Sequence, residues 1–406
     1  MAPAQTAPSL RFRSLALFLI MALGACRGGG DSRDPVTQPP GGPTRAFHLG
    51  FTPFPHDVNQ AAIDFAYEKV SKETDIVAHH FDNGIPWNEA LVDSYPYHQH
   101  IMDDWTQRKA KVPAGHKIYV AVTPIIGARN GLALYRKEAD DIPLVAPFDQ
   151  HGTNLAFDHD DVKTAYLNFC KRVIAFFKPD YFNIGIEVNL LRRDRGLAVW
   201  NRYKALNAYV YAELKKLHPT LPIFVSIAGQ PLLQGWEAPP SEFGSAPDPA
   251  QAFRASQLAA LSDMMVSSDY YGISFYPYIS AYLGSLFPTG FPATMWDDLF
   301  SLSTKPIAIA ETGYPAADIT AISPVTFVGS QAAQAAYLRK LFEEADKRKF
   351  KFVVNFVVRD YTALCQAVSC PAFAYLWETT GVFDAAGNPR ESLKIYREYL
   401  ARPVKP

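Results

Sequence analysis

The chain has 406 residues, 48% of them hydrophobic and 19% charged, a balance that supplies a sizeable core and excludes an intrinsically disordered chain. Its 39 Lys and Arg against 40 Asp and Glu leave a net charge of -1. There is no basic excess to recruit nucleic acid and no acidic run to act as a solvating tail.

The N-terminus reads as a targeting segment. Arg11 and Arg13 form a positive region, and Leu15 to Leu23 an apolar run too short to span a bilayer. The run ends in Leu23-Gly24-Ala25-Cys26, which resembles a bacterial lipobox, with Cys26 as the lipid attachment point. Residues 1–25 are thus expected to be a lipoprotein signal peptide. Residues 26–45, rich in Gly, Pro, Asp and Thr without periodicity, should be a flexible tether. The protein should then be exported and held at a bacterial membrane or cell surface, as a monomer.

From residue 46 onward, short apolar runs alternate with helical patterns. The runs are Phe47–Pro53, Ile76–Phe81, Lys117–Pro124, Tyr181–Val188, Pro222–Ala228, Tyr270–Tyr276, Pro306–Glu311 and Phe352–Val358. Several are nearly continuous apolar stretches, as in parallel strands buried on both faces. Helical spacing is clearest over Val162–Phe177, Trp200–Leu217, Phe253–Met265, Gln331–Lys347 and Glu391–Leu400. Eight such alternations predict a single (β/α)8 barrel over residues 46–406. A doubly wound sheet would need a phosphate-binding turn. No GxGxxG follows the first run, so no dinucleotide cofactor is expected. The absence of CxxC and HExxH patterns gives a metal no support either.

In a barrel the loops after the strands build the face that carries the active site. Those loops hold Trp87, Trp236, Tyr278, Trp296 and Trp377, aromatic side chains suited to stacking on sugar rings or to packing. His79 and His80 end the second run. Adjacent strand residues point to opposite faces, so only one can face the site, and His80 is the choice. Cys365 and Cys370 lie close in a loop and can form a local disulfide or remain thiols. Cys170, on a helical pattern, reads as a buried free thiol.

The sharpest signal is a pair of glutamates. Glu187 ends Tyr-Phe-Asn-Ile-Gly-Ile-Glu, and Glu311 ends Pro-Ile-Ala-Ile-Ala-Glu. A carboxylate closing an apolar strand is costly unless it reaches a polar site. Two at equivalent positions can meet above the barrel, one protonated to assist a leaving oxygen and one ionised to attack. Glycoside cleavage uses such a pair.

These segments carry a resemblance. Ile-Gly-Ile-Glu-Val-Asn-Leu, Asp-Tyr-Tyr-Gly-Ile-Ser-Phe-Tyr-Pro-Tyr from Asp269 to Tyr278, and Ala-Glu-Thr-Gly-Tyr-Pro from Ala310 to Pro315 resemble the strand-four, strand-six and strand-seven motifs of clan A glycoside hydrolases, closest to family 53, the endo-β-1,4-galactanases. Trp377-Glu378 and Val382-Phe383-Asp384 are similar as well. The resemblance spans roughly residues 180–395. It implies a retaining mechanism with Glu187 as acid/base, Glu311 as nucleophile and Tyr276 holding the nucleophile ionised. Tyr278, His80, Asn189, Trp87 and Trp377 are the expected substrate contacts, and the partner is an oligo- or polysaccharide.

One position departs from the clan. Where the clan has an Asn that bonds the sugar 2-hydroxyl, this chain has Ile186, with Asn183 and Asn189 as candidates to compensate. Strand eight carries Asn355 and Phe356 in place of an aromatic platform. A glycan-binding lipoprotein on an impaired hydrolase barrel is therefore the competing expectation, and a transglycosylase shares the same residues.

Overall fold

The computed structural model describes residues 42–280, 292–321 and 326–405. The expected signal peptide, Cys26 and nearly all of the tether lie outside the described residues. Among the described residues no helix is long and apolar enough to cross a membrane.

Eight parallel strands close into a barrel in sequence order, β1 (His48–Phe51), β2 (Ile76–Phe81), β3 (Lys117–Val122), β4 (Tyr181–Asn183), β5 (Ile223–Ala228), β6 (Tyr271–Phe275), β7 (Ile307–Thr312) and β8 (Phe352–Asn355). Helices on the outside connect them, as the alternation of apolar runs and helical patterns predicts. Their starts follow from local capping. His159, Asp248 and Ser330 each turn a side-chain acceptor onto a free backbone N–H at the head of a helix, Asp160–Phe177, Pro249–Met265 and Gln331–Arg348 respectively.

Two apolar layers hold the barrel together. One lies between strands and helices. The other fills the barrel interior with Ile76, Ala78, Tyr119, Ala121, Ile186, Phe224, Ala308, Ala310, Phe352 and Val354. Most of these are alternate residues on their strands, which is the period-two signature of one face. His80 continues the line Ile76, Ala78 upward, and Tyr276 continues the line Gly272, Ser274 just past β6. Both therefore emerge at the top of the barrel.

Two strands differ from their predicted extents for a physical reason. The fourth run was expected to stay extended to Val188, but β4 ends at Asn183. Glu187 has φ +50, and Asn189 begins the helix Asn189–Leu217. Period-two alternation therefore cannot place Asn183 and Asn189 beside Glu187. The second departure is in β7. Ile273 pairs with Ile309 but Ser274 pairs with Glu311, so one residue, Ala310, is extra. A bulge of one residue reverses which face the following side chain takes. Without it Glu311 would point outward at the helices. With it, Glu311 turns inward and Thr312 outward, where the Thr312 hydroxyl bonds Phe275 O at 2.7 Å.

The long loops after β2 and β3 are pinned together by Arg136, a fully buried guanidinium that bonds Asp104 at 2.8 Å and Asp140 at 2.7 Å. After β8, Cys365 and Cys370 form a disulfide, the first of the two alternatives left open by the sequence. Cys170 is a buried free thiol.

Candidate active site

Glu187, Glu311, His80 and Tyr276 come together above the barrel interior, joined by two residues from the loops, Asp82 and Arg129. The Tyr276 hydroxyl donates a short hydrogen bond to Glu311 Oε1. His80 Nδ1 lies 3.4 Å from Glu311 Oε2, and its Nε2 lies 3.8 Å from Asp82 Oδ2. That same Asp82 oxygen accepts a 2.7 Å bond from Arg129 Nη1. Arg129 Nε donates at 3.2 Å to Glu187 Oε2. Charges of alternating sign thus run from Glu187 through Arg129, Asp82 and His80 to Glu311, ending on a neutral phenol.

This arrangement sets the acidity of its members. Burial raises the Glu311 carboxyl, and the neighbouring Glu187 charge adds to that. His80, the Tyr276 hydroxyl and Arg129 pull the other way without cancelling it, so Glu311 sits above the ordinary carboxylate range. Burial also works against charge on His80, but Asp82 and Glu311 outweigh it and hold the imidazole above its usual value. Burial would lift Asp82, yet Arg129 and His80 bring it below its normal value. Tyr276 is pushed well up by burial and then by Glu311, so it stays a hydrogen-bond donor at any working pH.

His79 behaves as its strand position dictates. It points away from the site into a cage of Tyr67, Phe81 and Phe177, with neither ring nitrogen partnered. Burial drives its pKa down to about 3, and it stays neutral.

Three expected substrate contacts take packing positions instead. Trp87 is sealed from solvent, stacked on Phe148 with its indole N–H donated to Ala133 O at 2.9 Å. Asn189 is fully buried. Its amide donates to Ala228 O at 3.1 Å and Gln257 Oε1 at 2.9 Å, and its oxygen accepts the Ala228 N–H at 2.8 Å. Tyr278 is buried with its hydroxyl on Leu376 O at 2.8 Å, which holds the neighbouring Trp377 in place. Trp236 and Trp296 are likewise buried. A loop aromatic is as useful for anchoring a long loop as for meeting a ligand, and spacing does not separate the two uses. Trp377 does reach the site, edge-on to Tyr276 at 5.8 Å and to Phe356 at 6.4 Å.

Residue patterning alone does not single out Arg129. The signal was Ile126-Gly127-Ala128-Arg129-Asn130-Gly131, a turn rich in Gly and Asn after the third run with one cation at its tip. The Arg129 N–H closes the turn onto Ile126 O at 2.7 Å, with Arg129 at φ +59. Among the described residues, one group that could hold a metal ion occurs elsewhere, His151, His159 and Asp161. Its two rings are tilted by 30° with centroids 3.9 Å apart, and Asp161 lies 3.2 Å from His151 and 3.6 Å from His159. It is an ion-paired helix cap on this geometry.

No protein-family model matches the sequence, and neither does any curated protein. Solved structures do match. A GH5_18 protein from Bifidobacterium longum subsp. infantis superposes with a TM-score of 0.57 at 12% identity, over 89% of this chain and 80% of its own. A GH5_18 variant from Bifidobacterium longum subsp. longum, in complex with Manb1-4GlcNAc, gives 0.56 at 16% identity over 89% of this chain and 80% of its own. An exo-β-1,4-mannosidase from an Opitutaceae bacterium gives 0.55 at 12% identity over 88% of this chain, which spans only 60% of that protein's length. At such identities the likeness is one of fold, and the fold is the (β/α)8 barrel of these proteins.

Proposed function

We propose that this protein is a retaining β-glycoside hydrolase acting on an oligo- or polysaccharide, with Glu311 as nucleophile and Glu187 as acid/base. The observation that carries this reading is Glu311 itself. It is a carboxylate turned inward by a bulge at the end of β7, holding a tyrosine hydroxyl on one oxygen and facing an imidazole with the other. The hydrogen bond from Tyr276 and the ionic contact with His80 leave it anchored and aimed, as a nucleophile must be. Glu187 is near enough for its charge to act on Glu311. In the first step Glu311 attacks the anomeric carbon while Glu187 protonates the departing oxygen. In the second, Glu187 takes a proton from water, which attacks the glycosyl-enzyme.

The sugar is a separate matter. The strand motifs resemble galactanases, whereas the superposed structures include a mannosidase and a complex with a mannosyl disaccharide. The test is a panel of aryl β-mannosides, β-galactosides and β-glucosides, with galactan and mannan, followed by a 2-deoxy-2-fluoro glycoside of the sugar that is hydrolysed. A covalent adduct on Glu311 is expected. Turnover with inversion, or an adduct elsewhere, would overturn the assignment.

A second reading, a glycan-binding barrel with impaired chemistry, is favoured by Ile186, which gives the reacting sugar no hydrogen bond. Binding to the panel without reducing-end release would support it. We further propose that Cys26 carries a lipid anchor. Cys26→Ser should move the protein from the membrane fraction to the soluble one, and a wild type already soluble with an unmodified terminus would refute the anchor.

A further inference from the structure

We propose that Arg129 is the donor to the 2-hydroxyl of the reacting sugar, in place of the side chain missing at position 186. This inference rests on the glycosidase reading. Hydrogen bonds to that hydroxyl strengthen as the ring approaches the oxocarbenium-like transition state, so a retaining site without one gives up much of its rate. The structure removes the obvious suppliers. Ile186 is buried among the barrel's interior side chains and has no polar atom. Asn189 is spent on Ala228 and Gln257. Asn183 points down the barrel, donating to the Tyr119 hydroxyl at 3.1 Å and accepting the Gly185 N–H at 2.9 Å.

Arg129 has the required properties. It already touches Glu187, the residue that follows position 186, with Nε at 3.2 Å. Its guanidinium is held by the stronger 2.7 Å bond from Nη1 to Asp82. A guanidinium carries five N–H donors in a rigid plane, and these two bonds leave the Nη2 pair uncommitted among the described residues. Asp82 therefore fixes the plane while Arg129 can offer a donor to a sugar oxygen beside Glu187. The turn that carries it is built for close approach. Arg129 is left-handed at φ +59, and the Gly127 position, two residues earlier, faces the Asp82 carboxylate, with an added Cβ falling 3.8 Å from Oδ1. A charged donor makes a shorter, stronger bond than a neutral amide, so Arg129 can serve as well as the Asn it replaces.

The test compares an aryl β-glycoside that the protein turns over with its 2-deoxy counterpart, each corrected for its uncatalysed rate, on wild type, Arg129→Lys and Arg129→Met. The same two glycosides are also titrated calorimetrically, so a preference can be read even where turnover is absent. For wild type the parent compound should be preferred by about a hundredfold or more in kcat/KM, as a bond worth several kcal/mol requires. Arg129→Met also loses the ion pair to Glu187 and should slow both compounds, but the parent at least tenfold more than its 2-deoxy counterpart, and Arg129→Lys should retain part of the preference. A role limited to holding Glu187 in place would slow both substrates equally and leave the preference intact, and that result would overturn the proposal. Should neither glycoside be cleaved, the hydrolase reading fails by itself. The calorimetric preference then decides the Arg129 contact, which stands if it falls in Arg129→Met and is refuted if it does not.

Discussion

Arg129 and Glu187 meet at 3.2 Å, and both have left-handed backbones, with φ +59 and +50. Such a conformation costs a non-glycine residue roughly 1–2 kcal/mol. Two of them facing each other across one ion pair concentrate strain where a carboxylate has to be aimed, and strain of this kind gathers at sites that work. The roles proposed for the site residues lead to the following outcomes.

Glu187→Ala should slow cleavage of natural saccharides by about 10²–10⁴-fold, because a sugar leaving group needs the proton. It should spare the first step for activated aryl glycosides, and azide should then restore turnover with a product of retained configuration. Glu311→Ala should lose both substrate classes, with azide giving the inverted product. Product configuration by NMR is the measurement. Exchanged outcomes would exchange the roles, and mild, equal losses would leave neither glutamate with chemistry to do.

Tyr276→Phe removes a donor that lowers the pKa of Glu311. A hydrogen bond to a charged group is worth about 1.5–3 kcal/mol, and each pH unit corresponds to about 1.4 kcal/mol. The Glu311 carboxyl, already raised by burial, should rise further. The acidic limb of the kcat/KM profile should then move up by about one pH unit or more. A limb that stays in place would mean that Glu311 is not the group it reports.

Asp141 offers a stability test outside the catalytic pair. Burial, then the Asp82 and Asp140 charges, raise its carboxyl from 3.8 to about 7. The folded state therefore keeps a proton that the unfolded chain releases. Its contribution is fully present below pH 3.8, falls as pH rises and is gone above about 7. Asp141→Asn keeps the shape, removes the charge and suits the left-handed backbone there, at φ +50. In thermal melts the variant should match wild type near pH 4 and exceed it by roughly 3–6 °C at pH 8, by the usual conversion for a domain of this size. Equal melting temperatures at pH 8 would show that Asp141 is ionised in the folded protein at no cost.

The disulfide should act on binding more than on chemistry. Cys365 packs with Val357, Tyr361 and Leu364, and this group lies against Phe54, Phe356 and Trp377 at the edge of the site. Replacing both cysteines with serine frees the segment that carries Trp377 to Tyr276. KM should rise several-fold with kcat within about a factor of two, because aromatic contacts of this kind contribute about 0.5–1.5 kcal/mol each. A fall in kcat at unchanged KM would place the disulfide's effect on the carboxylates instead.

The barrel was legible in the sequence because burial on both faces of a parallel strand leaves a local mark, a short unbroken apolar run, and eight of them alternate with helical spacing. The same marks placed Glu311 at a strand end and Glu187 at the close of the fourth apolar run, alternation chose His80 over its neighbour, and the resemblance of the strand-six motif pointed to Tyr276. What lay beyond local periodicity was settled by partners distant in the chain. Simple alternation would have turned Glu311 outward, and only its pairing with Ser274 of β6 shows the extra residue that turns it in. The fourth run keeps its apolar character while leaving the extended conformation, because Ile186 still fills the barrel interior. Trp87, Asn189 and Tyr278 have the residue types of ligand contacts, yet their polar atoms are met by Ala133, Ala228 and Leu376. Arg129 gains its position from Asp82 and Glu187, 47 and 58 residues away along the chain. A polar side chain on a loop serves whatever partner folding brings to it, and only the tertiary structure names that partner.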